Sequence, residues 1–236
     1  MSLERLRELQ PTYEPNERVL KGLGEIGVLG LVGTTASGKT TSTSRLAKDY
    51  PELFGYVLNE TGRRPRETDL VGVDFIYRSV EEFAEDVEAG EMVQYVISEL
   101  GDIYGTRLSS YPKGKTGILP MVPKAAKHFR QLPFKSFDAA YVIPDDFDRW
   151  YNVQLAKHEK ASGWTPEQRS YRMQEAAENV EQALADGQMK FVLNDEVERA
   201  TERILQIARG EKPDDEDAAR AVATQSLERL KELSRQ

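Results

Sequence analysis

Apolar residues along this chain change their spacing from one stretch to the next. Leu3, Leu6 and Leu9 share one face of a short helix, which Pro11 and Pro15 end in an irregular link. Val28-Leu29-Gly30-Leu31-Val32 is apolar, β-branched and strand-length, so it predicts a buried strand. Residues 41–49 follow on a helical pattern with Leu46 and Ala47. A second strand is expected at 54–58. The stretch 79–89 has helical spacing, Ser79 as N-cap, Glu82 three residues on and Gly90 as stop. Short strands are expected at 92–97, 103–106 and 139–143, the last ended by Pro144, with a brief apolar run at 117–122 broken by Pro120. Helices are expected at 146–160 and 165–184 with Gly163 between them. Thr165-Pro166-Glu167 supplies a cap, a proline at the first position and an acid in the first turn. A strand at 190–193 and a helix at 196–208 complete the alternation. Strands alternating with helices imply an α/β fold, a parallel sheet flanked by helices on both faces. Residues 210–217 are acidic, contain Pro213 and read as a linker. Ala221, Leu227, Leu230 and Leu233 then mark one more amphipathic helix, too short for a coiled coil and expected to dock on the core or to lie loosely solvated.

Composition narrows the function. The 236 residues are 39% hydrophobic and 31% charged, enough for one α/β core with small insertions or for a core plus a mobile subdomain. A net charge of −8 argues against a general nucleic-acid or membrane-surface binder. The absence of cysteine excludes disulfides and thiolate metal sites. Apolar runs are strand-length and the N-terminus is charged, so a cytoplasmic enzyme is expected. A homo-oligomer is left open. His128 and His158, the two histidines, stand far apart and make no metal site. Trp150 and Trp164 are expected to pack the segment at 146–172 rather than stack on a base.

The chemistry is announced by Gly33-Thr34-Thr35-Ala36-Ser37-Gly38-Lys39-Thr40, a complete G-x-x-x-x-G-K-[ST] sequence between a strand and a helix. Its backbone N–H groups form an anion-binding nest, and the helix N-terminus adds positive charge. Residues 33–41, Thr41 included, are therefore expected to bind ATP. Lys39 would reach the β- and γ-phosphates, and the Thr40 hydroxyl would hold Mg²⁺. A second cluster, Thr61-Gly62-Arg63-Arg64-Pro65-Arg66, concentrates guanidinium forks that match phosphate oxygens. The competing account is a solvated basic loop that neutralises Glu60, Glu67 and Asp69.

The series continues with Gly72-Val73-Asp74-Phe75, Gly90-Glu91-Met92-Val93-Gln94-Tyr95 and Tyr104-Gly105-Thr106. Its order and spacing resemble the guanylate kinase family, with T-T-R-x-P-R, G-x-D-Y, G-x-F-[IL]-E and Y-G-[TS]. Val142-Ile143-Pro144 and Val192-Leu193-Asn194-Asp195 look like the family's strand into the lid and its last strand. The resemblance covers about residues 27–208. It implies a P-loop parallel sheet with a small acceptor-binding insertion and a helical lid. It also implies phosphoryl transfer from ATP·Mg²⁺ to a nucleoside monophosphate, GMP or dGMP foremost.

By that resemblance, the acceptor site takes Asn59, Arg63, Arg66, Phe75, Gln94, Tyr104 and Thr106, with Arg63, Arg66 and Tyr104 on the acceptor's phosphate. The lid, about 146–172, carries Lys157, Arg169 and Arg172 toward the donor phosphates, Arg172 aligning best. The expected organisation is an N-terminal helix and link at 1–26, the kinase-like domain at 27–210 with its acceptor region at 59–107, and a linker and helix at 211–236. The chain departs from the family at the base. Gln94 stands for a guanine-reading Glu, Asn59 for a serine, Phe75 for a tyrosine, and Leu119-Pro120-Met121-Val122 for an acidic strand end. A kinase of this fold acting on another phosphorylated small molecule, or a non-catalytic binding module, are the alternatives.

Overall fold

The computed structural model describes residues 3–65, 75–98 and 101–234. In chain order the elements are α1 (Leu3–Leu9), α2 (Glu17–Leu23), β1 (Gly27–Val32), α3 (Lys39–Asp49), β2 (Phe54–Tyr56), β3 (Asn59–Thr61), β4 (Phe75–Tyr77), α4 (Val80–Glu88), β5 (Met92–Ile97), β6 (Ile103–Arg107), β7 (Thr116–Met121), α5 (Pro123–Phe129), β8 (Ser136–Pro144), α6 (Phe147–Arg149), α7 (Ala156–Ser162), α8 (Pro166–Ala185), β9 (Lys190–Asn194), α9 (Val197–Ala208) and α10 (Glu216–Leu233). Five strands form a mostly parallel sheet of order β2-β7-β1-β8-β9, and four form a second sheet of order β4-β3-β6-β5.

The chain divides into two compact units. The first comprises Met1–Val28, Glu52–Gly117 and Leu132–Ser136. It holds the whole four-stranded sheet, in which β6 runs antiparallel to β3 and β5, and β4 runs parallel to β3. One face packs on α4, with Phe83, Ala84, Val87, Met92, Tyr95 and Ile103 in its core. The Ser79–Glu82 capping box forms as the sequence predicts. Leu6 alone of the three N-terminal leucines is fully buried, and it belongs to this same core.

The second unit comprises Leu29–Pro51, Ile118–Gln131 and Phe137–Gln236. Here β8 and β9 pair in parallel, from Ala140↔Lys190 to Pro144↔Asn194. Their apolar side chains pack with α8 and α10, through Tyr141, Phe191, Ala176, Val180, Ala219 and Leu230.

Several expectations need correction. The link before β1 contains a second helix, α2, capped by Asn16, whose side chain accepts from the Val19 N–H. The strand expected at 54–58 stops at Tyr56, and the chain then enters the other sheet as β3. Pro120 does not break β7, and α5 follows with Pro123 at its start. The helix expected at 146–160 is interrupted by a π-helical turn over Trp150–Leu155. The last helix docks as expected, but Ala219, Ala223 and Leu230 form its buried face while Ala221 is exposed. A second, largely antiparallel sheet was not legible from alternation alone.

Candidate active site

The phosphate loop follows from β1, whose six residues are all buried. Loop glycines stand where a side chain would collide. A Cβ on Gly33 would lie 2.6 Å from the Val142 carbonyl oxygen, and one on Gly38 2.2 Å from the Asn194 amide nitrogen. Gly38 has φ +98° and caps α3, a conformation that costs glycine least. Ala36 shares the left-handed region at φ 60°.

Four carbonyl oxygens of this loop are tied to side-chain donors. Lys39 Nζ donates to Gly33 and Thr34, each at 2.6 Å. The Trp150 indole N–H donates to Thr35 at 2.9 Å, and Asn194 Nδ2 donates to Ser37 at 2.8 Å. Carbonyl oxygens repel anions, so engaging them with donors favours negative charge at the loop. The buried Ser37 Oγ has no hydrogen-bond partner, a polar orphan within the loop itself. Desolvation pushes the Lys39 ammonium down to about 8 from its usual range, with Glu175 pulling the other way. Thr40 is exposed on the first turn of α3. An exposed hydroxyl beside an anion loop suits Mg²⁺, which takes few protein ligands and relies on phosphate and water. Among the described residues no group of three or more His, Asp or Glu could hold a metal by itself.

The lid segment leaves β8 and returns through α8. Asp146 caps its first turn, accepting from the Arg149 N–H. Trp150 is buried in the core and anchored to the phosphate loop, the packing role the sequence predicts. Gly163 ends α7 at φ 62°, and the Thr165–Gln168 capping box starts α8. Arg172 Nη1 pairs with Glu175 Oε2 at 2.6 Å. The Glu175 carboxylate also favours the charged form of Lys39, and sequence reading missed it. Its place one helical turn beyond Arg172 is the signal that could have found it. Arg169 is engaged inside the lid, by Glu159 at 3.1 Å and the Tyr151 hydroxyl at 2.8 Å. That contact joins the two lid helices. Lys157 is exposed on α7.

The first unit gathers most of the residues expected at the acceptor on one sheet face. β4 pairs Phe75 with Asn59, and β5 pairs Gln94 with Thr106. β3 pairs Glu60 with Gly105, which carried on by one residue sets Asn59 opposite Thr106. Phe75, Asn59, Thr106 and Gln94 thus form one row across four strands. The next row on the same face is Tyr77, Thr61, Tyr104 and Val96.

Arg63 lies over this face, its guanidinium 4.8 Å from the Phe75 ring centre and 5.6 Å from that of Tyr77. The Thr61 hydroxyl accepts from the Arg63 N–H at 3.3 Å and donates to the Ile103 carbonyl at 2.8 Å, fixing where the loop leaves the sheet. Thr106 Oγ1 lies 3.0 Å from the Tyr111 hydroxyl. Gln94 is 9% exposed. Arg66 lies outside the described residues.

The opposite face bears on one part of the competing account of the basic loop, its neutralisation of Glu60. Glu60 is buried there and paired with Arg78 at 3.0 Å and Arg107 at 2.7 Å. Its charge is met by Arg78 and Arg107, both outside the 63–66 cluster. Glu67 and Asp69 lie outside the described residues.

Behind the phosphate loop, Asn194 is held by the end of β9. Arg203 donates to the Leu193 carbonyl at 2.7 Å and to Asp195 at 2.6 Å, and also pairs with Asp215. This hydrogen bonding holds the Asp195 carboxyl down at about 2. Sequence reading placed 192–195 in the last strand and turn and gave Asn194 no task.

Comparison with known proteins bears on both halves. The sequence model of guanylate kinase matches residues 28–210. The chain is 31% identical over 188 residues to guanylate kinase of Enterococcus faecalis, covering 77% of this chain and 87% of that protein. It is 26% identical over 181 residues to guanylate kinase 1 of Oryza sativa subsp. japonica, covering 74% of this chain but 46% of that protein. The chain thus spans less than half of the plant relative. Its fold is similar to that of guanylate kinase from Anaplasma phagocytophilum, with a TM-score of 0.55 and 17% identity over 79% of this chain and 86% of that one. A match that takes in the phosphate loop, the four-stranded sheet and the lid helices alike makes this chain a member of the guanylate kinase family.

Proposed function

We propose that the protein transfers a phosphoryl group from ATP to a nucleoside monophosphate, GMP or dGMP being the first acceptors to test. The observation that carries this is the loop at 33–40, with four carbonyls engaged, Ser37 Oγ unpartnered and Lys39 partly desolvated. A binding module with no chemistry to perform has no use for that arrangement. Phosphoryl transfer needs alignment and cations around the group that moves. Lys39 supplies one, and Arg172 a second from the lid. Thr40 would hold Mg²⁺, which when bound neutralises charge on the transferring phosphates. Arg63, with Arg66 and Tyr104, would hold the acceptor's phosphate. The row Asn59, Thr106 and Gln94 would face its base. A cytoplasmic setting, where ATP and nucleoside monophosphates are pooled, belongs to the same proposal. Among the described residues no helix is long and apolar enough to cross a membrane.

A second reading is supported by the base row and by β7. Gln94 offers one acceptor and one donor where a carboxylate offers acceptors only, and β7 ends in Leu119-Pro120-Met121 without an acid. Both fit a kinase whose acceptor is another phosphorylated molecule. A coupled ADP-release assay across GMP, dGMP, AMP, CMP, UMP and phosphorylated sugars tests both. Turnover greatest with GMP or dGMP supports the first, turnover confined to other acceptors supports the second, and ATP binding without turnover on any of them refutes both.

A further inference from the structure

Residues 1–27 lie outside the family match, yet the segment from α1 to α2 packs onto the strand that carries Gln94. β5 is an edge of its sheet, where backbone polar groups lack a neighbouring strand. Two such groups are met by side chains of the N-terminal segment. The Tyr13 hydroxyl donates to the Met92 carbonyl at 2.7 Å, and Gln10 Oε1 accepts from the Ile97 N–H at 2.8 Å. The two contacts bracket Gln94. Between Met92 and Gln94 the pairing with β6 slips register. Such an irregularity re-aims the side chains beside it. The turn before β5 is held from the same segment, by Asn16 on the Gly90 carbonyl through its N–H and on the Ala89 carbonyl through Nδ2, both at 2.9 Å. The Tyr95 hydroxyl donates back to the Leu6 carbonyl at 2.7 Å, and the Tyr13 and Tyr95 rings meet edge to face at 5.1 Å.

We propose that Tyr13 and Gln10 are positioning residues for acceptor recognition: they fix the slipped pairing of β5 and so the direction of the Gln94 amide. This rests on the reading of Gln94 as a base-facing group. The test is steady-state kinetics on the full chain with ATP and GMP. Tyr13→Phe keeps the ring and deletes one hydrogen bond. It should raise the GMP KM about fivefold, the factor equivalent to one hydrogen bond of about 1 kcal/mol, with kcat and ATP KM unchanged. Gln10→Ala should act alike, and Gln10→Glu, which keeps an oxygen acceptor, should restore the wild-type value. In a Gln94→Ala background Tyr13→Phe should add nothing, because the group it directs is gone.

A flat GMP KM in both Tyr13→Phe and Gln10→Ala overturns the proposal, whatever their melting temperatures do. So does a Tyr13→Phe effect that persists undiminished without Gln94. A Gln94→Ala variant with unchanged GMP KM and unchanged preference over AMP and UMP defeats the base-facing assignment itself, and the positioning role with it. The single variants and the double variant therefore separate the two failures.

Discussion

The two halves of the candidate site are built in opposite ways. On the side expected to hold the donor, eight consecutive residues form the glycine-rich loop, and other parts of the second unit brace them. Trp150, Asn194 and Lys39 each close on a loop carbonyl, and Arg203 secures the strand end behind Asn194. On the acceptor side, no two members of the row Phe75, Asn59, Thr106 and Gln94 are neighbours in sequence. Each comes from a different strand, and pairing register alone makes them a surface. A contiguous loop tolerates changes elsewhere in the chain. A surface made by register fails if one strand slips, because a one-residue shift turns its side chains to the other face. Donor chemistry should therefore be sensitive to few residues and severely so. Acceptor choice should be sensitive to many residues, each moderately.

The sharpest break of this comparison is Lys39→Ala. Removing a cation aimed at developing charge should lower turnover by about a hundredfold or more, with the melting temperature little changed. Unaltered turnover and ATP affinity, by kinetics and calorimetry, would remove the loop from the mechanism. Next is Arg63→Ala, and Arg66→Ala beside it. Acceptor KM should rise roughly tenfold or more while ATP KM holds, since a charge-assisted fork to phosphate is lost. A flat acceptor KM in both variants would return the cluster to a solvated charge run.

Gln94→Glu sharpens the comparison rather than breaking it. With guanine in the site, a second acceptor in place of an unmatched amide donor should raise kcat/KM for GMP about tenfold. A wild-type enzyme already fast and strictly GMP-specific would show that other positions of the row read the base.

A smaller effect follows from the depressed Lys39. As pH rises through about 8 the ammonium of the free protein loses its proton, so ATP affinity should fall a few-fold between pH 7 and 9. The stability term has the opposite sign. Between about 8 and the ordinary value of 10.5 the unfolded chain binds more protons, so this group's contribution to stability rises with pH there. Calorimetric titration of ATP checks the first, and Lys39→Arg, charged throughout, should flatten it. The least effect is expected in hydrogen exchange. The lid around α7 and Gly163, largely exposed, should exchange faster than α3 and gain protection when both nucleotides are present. Equal protection with and without nucleotides would count against closure.

Local rules made much of this legible. The Ser79 and Thr165 capping boxes, the buried first strand and the glycine turn into α3 each depend on residues within a few positions of one another. The second helix in the N-terminal link was announced by Asn16-Glu17 and passed over beside two prolines. The π-helical turn at Trp150 had no local signal, since it serves a contact with Thr35, 115 positions away.

The sequence by itself determined the family, the glycine-rich loop and the alternation of strands and helices, and it supplied the residues proposed for an acceptor. Those are written in short spacings, which backbone geometry converts directly into turns, caps and faces. Tertiary structure alone decided which of them stand together. It placed Glu60 on the face away from the row, with Arg78 and Arg107. It engaged Arg169 with Glu159 and Tyr151, and paired Arg172 with Glu175. It also brought Tyr13 and Gln10 to the edge strand. Apart from the Arg172–Glu175 pair, one helical turn apart, these are pairings between residues separated in the chain, chosen by strand register and by the need to give polar groups partners, and neither is encoded in any window of neighbouring residues.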